Sequence, residues 1–286
     1  MQVGKIVLGT VQFGLKYGIN NQFGQVTQEE VNEILRVANS SGIQKLDTSY
    51  GYVQSEKVLG TALKEVDAKF KIISKYPKSD KTVGEIFQES ISNLGVESLY
   101  GYLVHHFDFY KAQPAIFDEM RKLKEAGLIQ KVGFSLYSAE ELYYLLEHNV
   151  SFDIIQFPYN VFDRQFEPYM EELVKKGVEI HTRSAFLQGL FFKDTNTLPS
   201  KLVPLKPYLD NLHQYCHDNN ITIEELAFGY VLANDKVQGA LIGVDNHHQL
   251  ESNIRVAGKG LRDEDINYIK SIDVKEKELL NPVNWK

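Results

Sequence analysis

One junction, repeated three times, constrains this chain more than any other feature. A segment of helical period ends in glycine, and a short connector leads directly into a strand-like run. It stands at Gly42-Ile43-Gln44-Lys45-Leu46-Asp47, at Gly127-Leu128-Ile129-Gln130-Lys131-Val132-Gly133 and at Gly177-Val178-Glu179-Ile180-His181. Glycine belongs there because a helix often closes on a left-handed residue, which a side chain disfavours. The helices have matching starts. Thr27-Gln28-Glu29-Glu30, Ser138-Ala139-Glu140-Glu141 and Thr222-Ile223-Glu224-Glu225 each read as a capping box. After the first, Val31, Ile34, Leu35 and Ala38 repeat at helical spacing. Strands alternating with such helices imply repeated βα units and a parallel sheet.

The pattern predicts strands near 5–10, 44–48, 71–76, 99–105, 131–135, 153–157, 179–184 and 239–244, with an insertion around 191–206 before the last. Eight such units in 286 residues predict an α/β fold, a (β/α)8 TIM barrel, as a single domain over 1–286. An open doubly wound sheet is the competitor. Its Gly-rich phosphate turn is missing, because Leu8-Gly9-Thr10-Val11-Gln12-Phe13-Gly14 has the wrong glycine spacing. Thirty-one Lys+Arg against 38 Asp+Glu leave a net charge of −7, which argues against nucleic-acid and anionic-membrane partners. No apolar run approaches the ~18 residues of a spanning helix. Cys216 is the only cysteine, and the N-terminus lacks a signal-peptide core, so a reducing cytoplasmic setting is expected.

Barrels of this kind carry their active groups at the C-terminal strand ends. That rule selects Asp47 with Tyr50 and Tyr52 just beyond it, then Lys75, His105, Ser135, Gln156, Arg183 and Ser184. A phenol is a weak acid at neutral pH, and a nearby ammonium lowers its pKa. A buried lysine in turn needs a carboxylate, and a histidine beside them can bond to a carbonyl oxygen. The set suits protonation of a carbonyl oxygen as hydride reaches its carbon. Tyr50 competes with Tyr52, and His106 with His105, for these roles. Strand alternation turns His105 inward and leaves His106 at the rim. His213, Cys216 and His217 lack the further ligands of a metal site, so no metal is expected. His247 and His248, at a helix start, read as solvated, and Lys275–Glu278 as a solvated face.

The residues resemble those of the aldo-keto reductases. Leu46-Asp47-Thr48-Ser49-Tyr50-Gly51-Tyr52, continuing through Glu56 to Gly60, resembles that family's D-T-A-x-x-Y…E-x-x-x-G, with Ser49 for Ala. Ile73-Ser74-Lys75 resembles its S-T-K strand end, and Tyr102-Leu103-Val104-His105 its Y-L-I-H. The resemblance implies a catalytic tetrad of Asp47, Tyr52, Lys75 and His105 and a cofactor, NADP or NAD. It implies cofactor contacts from Gly9, Thr10, Asp47, Ser135 and Gln156, with Leu136 standing where Asn is usual. In Arg183-Ser184-Ala185-Phe186-Leu187-Gln188-Gly189-Leu190 it implies that Arg183, Ser184, Phe186 and Gln188 hold the cofactor. Arg183 there replaces an aromatic that stacks on nicotinamide, and a cation at that place disfavours the oxidised ring. Near the C-terminus, Gly243, Asp245, Gln249 and Asn253 resemble the segment that grips adenosine. NADPH-preferring members carry Lys or Arg near the first three, so their absence here leans toward NAD.

The activity implied is reduction of an aldehyde or ketone to an alcohol, with a small carbonyl compound as partner. The opening L-G-T-x-Q-F-G and the R-S-x-F-L-Q-G-L segment resemble a branch associated with bacterial surface-polysaccharide synthesis, which implies a sugar or nucleotide-sugar carbonyl. Two alternatives stand beside it: a cofactor-binding regulatory or sensing subunit with little turnover, and a lyase or epimerase using Lys75 as a Schiff-base amine.

Overall fold

The computed structural model describes residues 2–21 and 24–285. Eight strands, β1 (Ile6–Gly9), β2 (Lys45–Asp47), β3 (Lys71–Tyr76), β4 (Leu99–Val104), β5 (Ile129–Ser135), β6 (Ile154–Pro158), β7 (Glu179–Arg183) and β8 (Gly239–Gly243), follow one another in chain order. Each pairs in parallel with the next, and β8 closes on β1. The barrel is the one the sequence predicts. Its fifth strand starts earlier than expected, at Ile129, because Leu99 bonds to Leu128 O and pairing with β4 begins at Ile129.

The glycine junctions take their predicted conformation: Gly42, Gly127 and Gly177 have φ of 81°, 77° and 74°. Ser138 and Thr222 form complete capping boxes. Thr27 forms only half of one. Its hydroxyl accepts from Glu30 N–H, but the Glu30 carboxylate accepts instead from the backbone and ring of His247 (2.6 and 2.8 Å). His247 is thereby tied down rather than solvated, whereas the His248 side chain stays exposed.

The largest apolar core lies between the strands and the surrounding helices, and a smaller cluster of Ile73, Leu103 and Ile154 fills the barrel. Below that cluster, near the N-terminal strand ends, Glu179 gathers side chains from several strands. Its oxygens meet Lys45 (2.8 Å), Lys131 (2.7 Å), His181 Nε2 (2.7 Å) and the Tyr100 hydroxyl (2.6 Å). The expected insertion after β7 consists of short 3-10 turns, Leu187–Phe192, Thr195–Thr197 and Ser200–Leu205, leading into the helix Lys206–Asp218. No helix among the described residues is long and apolar enough to cross a membrane.

Candidate active site

Strand alternation sends one side chain or glycine from the end of each strand toward the barrel mouth. These are Gly9, Asp47, Lys75, His105 (just past β4), Ser135, Gln156, Arg183 and Gly243. All but Lys75 line one cavity of about 400 Å³. Lys75 lies beneath it, fully buried, in an ion pair with Asp47 Oδ1 and donating to Thr48 O at 2.8 Å. Asp47 Oδ2 accepts from Gln156 Nε2 at 2.8 Å, and Ser135 Oγ lies 3.5 Å from Gln156 Oε1. The carboxylate therefore joins the lysine to the amide that the sequence assigns to cofactor.

Tyr52 comes over this pair from the loop after β2. Lys75 Nζ lies 5.2 Å from its ring centroid, and the His105 ring packs edge-on at 5.6 Å. Tyr50 faces away and donates to Glu89 at 2.6 Å, outside the cavity. His106 packs beside His105, the two rings tilted with centroids 4.8 Å apart, and is also outside the lining. Burial raises the Tyr52 phenol well above its ordinary range, Asp47 and Tyr137 add to the rise, and Arg183 opposes it. This corrects the expectation of a phenol lowered by Lys75, because burial outweighs an ammonium already neutralised by Asp47. Burial also lowers Lys75, against the pull of Asp47. Burial, Lys75, His106 and Arg183 together push His105 well down, so its imidazole is neutral at neutral pH. Ser49, in place of the expected Ala, brings Oγ within 3.1 Å of His105 Nδ1.

The remaining sequence-assigned residues lie along the same cavity: Ser184, Phe186, Gln188, Asp245, Gln249 and Asn253. Thr10 reaches its edge, but its hydroxyl is engaged by Asp47 O (3.0 Å) and Ser55 Oγ (2.8 Å). Leu136, where Asn was usual, is buried, and its carbonyl accepts from Arg183 Nη2 at 2.9 Å. Arg183 stacks on Tyr137, with Cζ 4.1 Å from the ring centroid. Asp245 accepts from Asn21 at 3.0 Å, and its own N–H donates to Gln249 at 2.8 Å. Arg255, nearest in sequence to that end, is exposed and absent from the lining. No group of three or more metal-binding side chains occurs among the described residues, and His213 is bonded to Phe191 O at 2.7 Å.

Gln12, Tyr17, Asn20 and Tyr137 line the cavity without having been singled out. Tyr137 was within reach of the strand-end rule, two residues beyond Ser135. Gln12 lies in a segment read only for its glycines. Its amide fills the space beside Gly243, where an added Cβ would come within 2.4 Å of Gln12 Nε2. Tyr17 and Asn20 belong to a loop without periodicity. They clasp the β7 loop, Tyr17 accepting from Gln188 at 2.8 Å and Asn20 donating to Gly189 O at 2.6 Å.

At 27% identity over 192 residues, 60% of this chain, the sequence is similar to the aldo-keto reductase YhdN of Bacillus subtilis and spans 56% of that protein's length. The fold is similar to that of AKR11C1 from Bacillus halodurans in its holo form (TM-score 0.73, 19% identity, 95% of this chain and 94% of that one). It is also similar to that of a Klebsiella pneumoniae aldo/keto reductase in complex with NADP and acetate (TM-score 0.69, 18% identity, 93% and 90%). At these identities the structural likeness speaks for the fold. The family model of the aldo/keto reductases matches residues 5–274, nearly the whole described chain. With that match the chain belongs to the aldo/keto reductase family.

Proposed function

We propose that this protein is an NAD(P)H-dependent reductase of an aldehyde or ketone, working as one domain over 1–286 in a cytoplasmic setting. The observation that carries the reading is the buried Lys75–Asp47 pair beneath Tyr52 and His105. The cavity suits a dinucleotide. Gln12 Oε1 and Asn253 Oδ1 are buried in its wall without a partner among the described residues, and a bound ligand with amino or hydroxyl donors would satisfy them. Ser135 and Gln156 would hold the nicotinamide end, with Arg183 in the wall beside it. Ser184, Phe186, Gln188, Gly9 and Thr10 would flank its middle, and Gly243, Asp245, Gln249 and Asn253 the adenosine. When bound, the cofactor supplies hydride to the carbonyl carbon.

The chain's own residues handle the proton. Tyr52, kept protonated by burial, donates its phenolic hydrogen to the carbonyl oxygen. Neutral His105, its Nδ1 lying 3.1 Å from Ser49 Oγ, is held by that contact and orients that oxygen. Lys75 and Asp47 hold the charge balance beneath the phenol. A Schiff base at Lys75 is disfavoured, since the amine is sealed under the cavity floor. The branch resemblance supports a carbonyl on a sugar or nucleotide sugar.

Reduced-cofactor oxidation across an aldehyde panel tests the reading, comparing wild type, Tyr52→Phe and Tyr50→Phe. Tyr52→Phe is expected to lose about 10²–10⁴-fold in rate with cofactor binding retained by fluorescence quenching, and Tyr50→Phe to stay near wild type. A wild type that binds cofactor tightly and reduces nothing would point instead to a sensing subunit.

A further inference from the structure

Arg183 is the only Lys or Arg among the described residues lining the cavity. The three lysines that reach into the barrel each have a carboxylate: Lys75 has Asp47, and Lys45 and Lys131 share Glu179. Arg183 has none. Its Nη2 donates to Leu136 O at 2.9 Å and its Nη1 lies 3.4 Å from Ser184 Oγ. A guanidinium has five N–H donors, so several remain without an acceptor among the described residues. The nearby acids are engaged elsewhere. Glu141 accepts from the Tyr137 and Ser138 N–H groups (2.6 and 3.3 Å), and Asp163 from the side chain of Gln165 (3.0 Å).

The surroundings hold this cation in place and add donors. Tyr137 covers one face of the guanidinium. Behind them, Lys277, Leu280 and Asn281 of the C-terminal segment line a small second pocket that Arg183 and Tyr137 share. Tyr17 receives a hydrogen bond from Gln188 at its hydroxyl oxygen, which leaves its own O–H free to donate. Its phenol is raised to about 12 by burial first and then by Tyr52, with Arg183 opposing, so it remains a donor at neutral pH. Arg183 also acts electrostatically on Tyr52, Lys75 and His105, and therefore stands at the reacting end of the cavity.

We infer that Arg183, seated on Tyr137 and assisted by Tyr17, recognises a carboxylate on the carbonyl substrate, so that the preferred substrates are oxo-acids. The inference rests on the reductase reading and narrows its substrate class. A partly buried guanidinium that no carboxylate touches leaves charged donors unmet, and a bound carboxylate supplies the acceptor oxygens in direct contact.

The test compares glyoxylate, succinic semialdehyde and 4-carboxybenzaldehyde, each against its methyl ester, at saturating reduced cofactor. Wild type, Arg183→Gln and Arg183→Lys are assayed, and succinate and succinamide binding is followed by calorimetry. At least one acid should exceed its ester in kcat/KM by about tenfold to hundredfold, the effect of a charge-assisted contact. Arg183→Gln should bring that ratio near one, Arg183→Lys should keep part of it, and succinate binding should weaken in step. Equal use of acids and esters overturns the inference and leaves the reductase reading standing. So does an Arg183→Gln variant that slows both alike, or one that weakens cofactor binding with the ratio unchanged, which would assign the anion to the cofactor's diphosphate. If no carbonyl is reduced, the reductase reading fails. Arg183-dependent succinate binding would then still uphold the anion site, and its absence would overturn that too.

Discussion

Lys75 changes meaning between the sequence and the structure. From sequence it is an ammonium near a phenol, which lowers the phenol's pKa. In the fold it is locked on Asp47 and Thr48 O, and Tyr52 is raised by burial with Asp47 adding to the rise. Removing the ammonium leaves the Asp47 carboxylate uncompensated beside the phenol, which pushes the phenol further up. Lys75→Met is therefore expected to slow alcohol oxidation and to move the rising limb of its pH–rate profile to higher pH, because oxidation needs the phenolate. A slower variant with an unmoved limb would mean that Lys75 acts only as a structural partner of Asp47. The proposed tetrad was legible because Asp47, Lys75 and His105 stand at or just past strand ends and Tyr52 follows Asp47 by five residues, all with distinctive chemistry. The partner of His105 was not: Ser49 was noted as a departure from the family's Ala, yet only the folded loop brings its hydroxyl to Nδ1.

The strands and most helix caps could be read because their signals are local: glycine after a helix, Thr or Ser three residues before Glu, apolar residues at one period. What escaped depends on contacts between distant segments. Glu30 looks like the second half of a capping box, but His247, far along the chain, takes its carboxylate. The loop carrying Tyr17 and Asn20 has no period, and its conformation is set by Gln188 and Gly189. The Glu179 cluster was equally hidden, since Lys45, Tyr100, Lys131 and His181 meet it only when four strands close together. Burial alone would raise the Glu179 carboxyl, but His181, Lys131 and Lys45 hold it far below its ordinary range, and burial keeps His181 below its own. A depressed carboxyl contributes stability above its unfolded pKa of ~4.3 that is lost on acidification. His181, buried neutral, loses stability in the same direction below ~6.5. Wild type should therefore weaken steadily in urea from about pH 6.5 downward. Glu179→Gln should be less stable at neutral pH by about 2 kcal/mol or more, somewhat under the ~3–5 of a fully buried pair, with a shallower pH dependence. Equal urea midpoints for the two proteins at pH 7 would show that the lysines find compensation elsewhere.

Across the whole molecule the charges are sorted. The chain carries −7, yet the reacting end of the cavity holds Arg183 with no ion-pair partner, and elsewhere in the lining stands Asp245, with no other lysine or arginine among the described lining residues. A 2′-phosphate entering there would meet a carboxylate rather than a charge-assisted donor. NADH is therefore expected to bind at least as tightly as NADPH. Titration of both by fluorescence quenching at matched ionic strength checks this, and NADPH binding tenfold tighter or more, unaltered in Asp245→Ala, would contradict it. The Glu179 cluster lies at the opposite end of the barrel from the chemistry. Its four strands are fastened by side chains that no substrate reaches, while Tyr17, Tyr137 and Arg183 come from loops and a strand end at the mouth. Inheritance can therefore act on the two ends separately: descendants of such a chain can exchange mouth residues to acquire a new substrate and keep the same scaffold beneath them.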